Sequence, residues 1–385
     1  MNGLKFGKEE LLYEGTHTRT YAATAADTGR RVWLKCPVSA HPGEADLVRL
    51  RDECGLSAKF GEAGFPVFSL REDETDPHAV AENVREGCTL RQWMNRNRGE
   101  RSLESALAVI LGIVRMLEPF HRLRFVHNNV NPEALWIVPA EMDVCPLDYG
   151  FVRETGADPA SVYSAIGEIR HFPYISPELT GMLQRRVDYR SDFYSLGCVM
   201  YEMLTGEPPF RALEPLQWLH AHLAGEAVPP QRLNPHIPKP VGDLVLKCLA
   251  KSADDRYQSA YRLKADLEQC LELARDARRI RDFQPAEHDP PASFRISGRF
   301  VGRGRELEEL REFIGRTERP PGELILITGE PGIGKTRLVR ELQRGSAAGR
   351  RIFVYGKFDQ VNRDVPLWPW IDAFNELVRF VLSQS

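Results

Sequence analysis

Residues 329–336 carry the strongest chemical signature in the chain. They read Gly329-Glu330-Pro331-Gly332-Ile333-Gly334-Lys335-Thr336 and meet G-x-x-x-x-G-K-[ST] at every fixed position. Glycines let backbone N–H groups curl around phosphates without Cβ clashes. The lysine reaches the β- and γ-phosphates, and the threonine offers its hydroxyl to Mg2+. The apolar run from Glu323 to Thr328 reads as a strand before the loop. A helix opening at Lys335 would turn its N-terminal dipole toward the anion.

A second constellation is spread over the first 260 residues. Lys35 lies at the end of an apolar, β-rich stretch, and Glu53 follows 18 residues on, in a charged amphipathic run from Ala45 to Phe60. Then come His127 to Ile137, Asp148-Tyr149-Gly150, Ser176-Pro177-Glu178, Asp192 within DYRSDFYSLG, and Asp255-Arg256-Tyr257. A lysine, a glutamate and an aspartate are the groups that could hold phosphates and a metal ion.

In this order the motifs resemble the eukaryotic-type protein kinase family over residues 9–275. The resemblance implies roles for each. Lys35 would pair with the α/β-phosphates and with Glu53. Gly15, Glu82 and Val84 would complete the ATP contacts, and Asp148 would hold Mg2+. Glu178 and Arg256 would form a buried ion pair, and Asp192 would anchor the catalytic loop.

The loop itself departs from the family pattern H-R-D-x-K-x-x-N, reading His127-Asn128-Asn129-Val130-Asn131-Pro132-Glu133-Ala134. Asn129 stands at the catalytic-base position, Asn131 at the lysine, and Ala134 at the metal-binding asparagine. In YEGTHTRTYAA only Gly15 remains of a glycine-rich loop. Loss of a general base alone costs about 10²- to 10⁴-fold. The expectation is a pseudokinase that still binds ATP weakly with Mg2+ through Lys35, Glu53 and Asp148, coupled to a P-loop nucleotide switch. The alternatives are an active Ser/Thr kinase using a one-metal site of Lys35, Glu53 and Asp148, and a P-loop switch with the kinase fold as scaffold.

Upstream of the phosphate loop, Val301, Gly302, Arg303, Glu306 and Leu307 resemble the V-G-R-x-x-E-L entry helix of signal-transduction ATPases of the AAA-like, STAND type. With GKFDQVNRDVPL at 356–367, the order is similar to the N-terminal part of large bacterial multidomain signalling proteins, in which sensor and histidine kinase modules often follow. Hydrolysis needs an acidic metal partner at the end of a later strand. The stretch after Thr336 offers one apolar strand, Arg351 to Tyr355, ending in Gly356-Lys357. The ATPase is therefore expected to continue past Ser385, with further signalling domains as partners.

These residues need elements to position them. A mixed lobe of short strands around one helix is expected over 9–87, with another strand in AVAENV. A helical lobe is expected over 88–275, including a helical run from Leu103 and another at Ser191–Leu204. The Pro-rich stretch 276–298 reads as a linker. Alternation resumes from 299 to 385: helix 306–314, strand 323–328, helix 335–342, strand 351–355, helix 369–381. Such alternation implies a parallel sheet with crossover helices. The fold class is thus an α+β two-lobed kinase-like domain followed by an incomplete α/β P-loop NTPase domain.

The composition constrains partners. Fifty-one Lys+Arg against 54 Asp+Glu give a net charge of −3, which removes the electrostatic case for a nucleic-acid or polybasic membrane binder. The longest apolar run, Ala106 to Val114, is far short of the roughly 20 residues that span a bilayer. Seven cysteines, none in C-x-x-C spacing, argue against a disulfide framework or a zinc site and suit a reducing cytoplasm.

Overall fold

A computed structural model describes residues 6–26, 28–39, 41–71, 77–99, 102–156, 172–180, 187–274 and 284–286, with 304–316, 325–328, 335, 338–339, 367, 370 and 373–374. The chain divides into two units, Met1–Phe294 and Arg295–Ser385.

The first unit opens with an antiparallel sheet. Strands β1 (Phe6–Glu14), β2 (Thr18–Ala25), β3 (Arg31–Pro37), β4 (Ser69–Arg71) and β5 (His78–Ala81) lie in the order β1-β2-β3-β5-β4. Along β2 the period of two buries Thr18, Thr20 and Ala22 and leaves Arg19 and Tyr21 half-exposed. Gly29 closes the β2–β3 turn at φ 64°, where a missing Cβ removes the steric penalty. Helix α1 (Glu44–Lys59) packs on β3, β4 and β5. Its buried residues are Leu50, Glu53, Cys54 and Ser57, the i, i+3, i+4, i+7 stripe of a core-facing helix. That stripe carries a glutamate into the interior.

The strand expected in AVAENV stops at Ala81. Its last partner is Trp33, beyond which β5 has no further register on β3, and the chain leaves the sheet for the second lobe.

The second lobe begins with β6 (Cys88–Thr89) and α2 (Leu90–Arg96). Thr89 and Gln92 cap this helix reciprocally, each side chain accepting from the other's backbone N–H at 3.1 Å. Helix α3 (Leu103–Arg122) starts on Ser102, whose hydroxyl accepts from Ser105 N. It is buried along most of its length, between the strand Asp143–Pro146 and the helices Arg190–Thr205 and Ala260–Leu273. Gly112 lies where a Cβ would come within 2.4 Å of Met142 O, so that close approach requires glycine.

Strands β7 (Phe125–Val126), β8 (Leu135–Val138), β9 (Asp143–Pro146) and β10 (Arg153–Glu154) bracket two loops, 127–134 and 147–152. β6, β8 and β9 form one small sheet, and β7 pairs with β10. Helices α4 (Arg190–Thr205), α5 (Pro215–Ala224), α6 (Pro230–Leu233), α7 (Lys239–Cys248) and α8 (Ala260–Leu273) complete the unit. One apolar core runs without interruption from Tyr13 and Trp33 of the first sheet to the helices of the second lobe. All seven cysteines are buried.

In the second unit, α9 (Gly304–Arg316) covers the expected helix, and its Leu307 packs with Leu338 beside Leu310 and Ile327. Residues 325–328 of the expected strand pair with no described neighbour, so no strand forms there among the described residues. The strand expected at 351–355 lies outside the described residues. Of the helices expected at 335–342 and 369–381, Lys335, Leu338, Val339, Trp370, Ala373 and Phe374 are described, and each is helical. No described helix is long and apolar enough to cross a membrane.

Candidate functional site

Lys35 sits mid-sheet, paired across the ladders with Thr20 and Ala79. Its side chain is fully buried, at 0% exposure. The ammonium forms an ion pair with Glu53 of α1 and lies 3.7 Å from Asp148 Oδ1. Phe68 lies under it, 5.0 Å from ammonium to ring centroid. Thr18 donates to the other oxygen of Glu53 at 3.1 Å. Two carboxylates thus share one lysine in a desolvated setting. Burial pushes the Glu53 carboxyl above its ordinary value against the pull of Lys35. For Lys35, burial is outweighed by the two carboxylates, which hold it above the ordinary lysine value.

The loop from His127 to Ala134 hangs from Asp192 of α4. Asp192 Oδ2 accepts from His127 N at 2.9 Å and Oδ1 from Asn128 N at 2.8 Å, and His121 Nε2 lies 2.8 Å from Oδ2. This orients the loop through its backbone. Asn128 sits at φ 60°, a left-handed conformation that asparagine tolerates better than most residues. Burial lowers the His127 imidazole below its ordinary value despite nearby Asp192.

Asn129, Asn131 and Ala134 of the loop bond within the chain. Asn129 Nδ2 donates to Asp148 Oδ2 and to the Tyr13 hydroxyl, both at 2.9 Å. Asn129 Oδ1 accepts from Asn131 Nδ2 at 2.7 Å. Asn131 Oδ1 accepts in turn from the backbone of Glu133 at 3.0 Å and Ala134 at 2.9 Å, a local turn that bends the loop. Ala134 is fully buried and contributes only its backbone. Gly150 N donates to Asp148 Oδ1 at 3.3 Å.

Below the loop, Arg256 and Glu178 form a bidentate pair at 2.8 and 3.1 Å, with 0% and 2% exposure. Arg256 also donates to the carbonyls of Ala250, Arg190 and Lys251. The remaining residues of interest are scattered. Gly15 N closes the β1–β2 turn onto Thr18 O at 2.9 Å. Glu82 pairs with Arg71 at the surface, 3.5 Å away, and is not brought to the Lys35 cluster. Val84 is half-buried against the core. Lys335 is half-buried in a helical position, while Gly329, Glu330, Pro331, Gly332, Ile333, Gly334 and Thr336 lie outside the described residues.

Four residues of the cleft escaped sequence reasoning. Laid on G-x-G-x-x-G-x-V with Gly15 as second glycine, Tyr13, Thr18 and Thr20 replace the two other glycines and the valine. Each reaches the floor or α1: Tyr13 to Asn129, Thr18 to Glu53, and Thr20 to Leu147 O at 3.4 Å. Laid on V-A-I-K, Trp33 replaces the alanine. That spacing was the available signal.

As arranged, these groups offer a magnesium nucleotide one lysine–glutamate pair and one further carboxylate, Asp148. Mg2+ asks for octahedral oxygens, commonly one or two carboxylates plus phosphates. Here Asp148 accepts from Asn129 and Gly150, Glu53 is held by Lys35, and Ala134 offers no side-chain oxygen.

Comparison with known proteins agrees with this architecture. The family model of the protein kinase domain matches residues 6–267, and that of the AAA ATPase domain matches residues 299–385. The chain is 36% identical over 232 residues to hybrid signal transduction histidine kinase G of Dictyostelium discoideum, covering 55% of this chain and 7% of that protein. It is 32% identical over 280 residues to a probable serine/threonine-protein kinase of Streptomyces coelicolor, covering 69% and 40%. It is 35% identical over 208 residues to the serine/threonine-protein kinase PknB of Mycobacterium leprae, covering 52% and 32%. The chain therefore spans well under half the length of these curated relatives.

Proposed function

Because the chain belongs to the protein kinase family and carries an AAA ATPase domain after it, we propose that it is a signal-transduction protein whose kinase-like lobes regulate rather than phosphorylate. The observation that carries this reading is the Asn129 amide turned onto Asp148. A hydroxyl substrate needs a nearby acceptor for its proton. An amide oxygen has no useful basicity, and this one already accepts from Asn131. Asn131 replaces a cation that would steady the phosphoryl group, and it serves the loop's own turn instead. Losses of this kind act on the transition state and are not additive.

In this reading the P-loop is the nucleotide switch. Lys335 and Thr336, with the backbone of Gly332 and Gly334, would hold ATP and Mg2+. The partners would be further signalling modules in the cytoplasm. The test is phosphate incorporation from labelled ATP into a generic protein substrate and into the chain itself. The parent should match its Asp148→Ala variant. Robust incorporation that the variant loses would overturn the reading.

A second reading, an active Ser/Thr kinase, is favoured by the assembled Lys35–Glu53 pair beside Asp148 and by the names of the relatives. The same assay decides between the two.

A further inference from the structure

Around Tyr13 and Trp33 the cleft between the two lobes is packed with the chain's own side chains, while a cavity of about 700 Å³ stays open between Thr16–Thr18, α1 and Asp148–Glu154. The two aromatic residues lie one in each half.

The first is Tyr13, at the end of the roof strand β1. It is 3% exposed, and its hydroxyl accepts from the Asn129 amide on the floor at 2.9 Å. Gly15 folds back over it: a Cβ on Gly15 would lie 3.1 Å from Tyr13 Cε1. The phenol thus stands between the roof turn and Asp148, where phosphates reaching Lys35 would have to pass. Burial and the Asp148 carboxylate keep this phenol far above its ordinary value, so it stays neutral.

The second is Trp33. It lies two residues before Lys35 on β3 and so shares the face that turns Lys35 into the cleft. It is 1% exposed. Its ring meets Trp136 of β8 edge-on, with centroids 5.2 Å apart, and stacks on Phe68 at 6.5 Å. Trp136 Nε1 donates to Arg85 O, in the connection between the lobes. The indole therefore bridges roof to floor beside that connection, in the half of the cleft farther along β3 from the phosphate-facing lysine.

We propose that the kinase-like cleft is filled by Tyr13 and Trp33, so that the lobes keep the Lys35–Glu53–Asp148 arrangement closed without nucleotide, and that ATP binding in this chain belongs to the P-loop. The carboxylates of the polar triad find hydrogen-bond donors within the chain. The Asn129 donor serves Asp148, and the Thr18 donor serves Glu53. This rests on the reading of the lobes as a regulatory module, yet it fails separately from it.

The experiment uses the full chain with Lys335→Ala, which silences the P-loop, and titrates ATP with and without Mg2+ by calorimetry. No saturable binding is expected up to millimolar ATP. Tyr13→Gly with Trp33→Ala, which restores the small residues of both templates, should create saturable binding with a Kd at least about tenfold below the highest ATP concentration at which the parent shows none. If the double variant does not melt cooperatively, Tyr13→Gly alone is read in the same way. ATP bound by the Lys335→Ala parent and lost on adding Lys35→Ala overturns the proposal whatever the variants do. Folded variants that gain no binding overturn it too. Binding in the parent cleft without phosphate transfer defeats the filled cleft alone. Binding with transfer defeats the regulatory reading as well.

Discussion

The side-chain amide of Asn129 donates to Asp148 Oδ2 at 2.9 Å, joining as donor and acceptor two positions that would repel each other as a pair of carboxylates. Both residues are buried, so the bond is made away from water, where an unmade partner is costly. The lobes are in this sense adapted to Asn129 and not merely deprived of an aspartate.

Restoring the carboxylate should therefore harm the protein. Asn129→Asp removes the donor to Asp148 and to Tyr13 and places like charges together. We expect a loss of about 1–3 kcal/mol of stability in urea unfolding, with no rise in phosphotransfer. An unchanged unfolding midpoint would show that the bond contributes nothing.

Burial sets the worth of ion pairs here. Arg256→Ala leaves Glu178 charged in the interior and should cost about 3–5 kcal/mol. The Lys239–Asp243 pair is solvent-exposed, and Asp243→Ala should cost no more than about 1 kcal/mol. Equal effects of the two changes on the denaturation midpoint would contradict this ranking.

Acid should destabilise the first unit through buried histidine. Burial, helped by the nearby Lys251 ammonium, pushes His222 down to about 3. Between its unfolded value of about 6.5 and that point, the unfolded chain binds a proton that the folded chain refuses. Stability then falls as pH falls, at about 1.4 kcal/mol per pH unit. His222→Gln should flatten that slope in unfolding measured across the acid range. A slope identical to the parent's would refute the assignment.

Nucleotide stabilisation should run through the P-loop. ATP with Mg2+ should raise the melting temperature of the parent chain, by mass action on the folded state. Lys335→Ala should abolish that rise. A shift that survives this change and disappears with Lys35→Ala would relocate the nucleotide to the lobe cleft.

Much of the architecture was legible before any fold was in view. Helices expected at Ala45–Phe60 and Ser191–Leu204 lie at Glu44–Lys59 and Arg190–Thr205. Amphipathic periodicity and capping are local properties, read within a turn or two of chain. The Lys35–Glu53 and Glu178–Arg256 pairings were legible through motif order, because each needs a particular residue type at its place. The strand expected through Val84 was not, since where a strand leaves its sheet is set by the tertiary path of the chain, and β5 ends its register on β3 at Ala81 although β3 runs on to Arg31.

The sequence by itself determined which groups were available: a lysine, two carboxylates, and an amide where a base would stand. Only the tertiary structure decided what those groups do to one another. Tyr13 meets Asn129 across 116 residues of chain, and Thr20 meets Leu147 across 127. Neither partner carries a local signature of the other. Whether a cleft is open or filled depends on how two distant surfaces are brought together and on the volume left between them. Packing there buries Tyr13 and Trp33 in one continuous core.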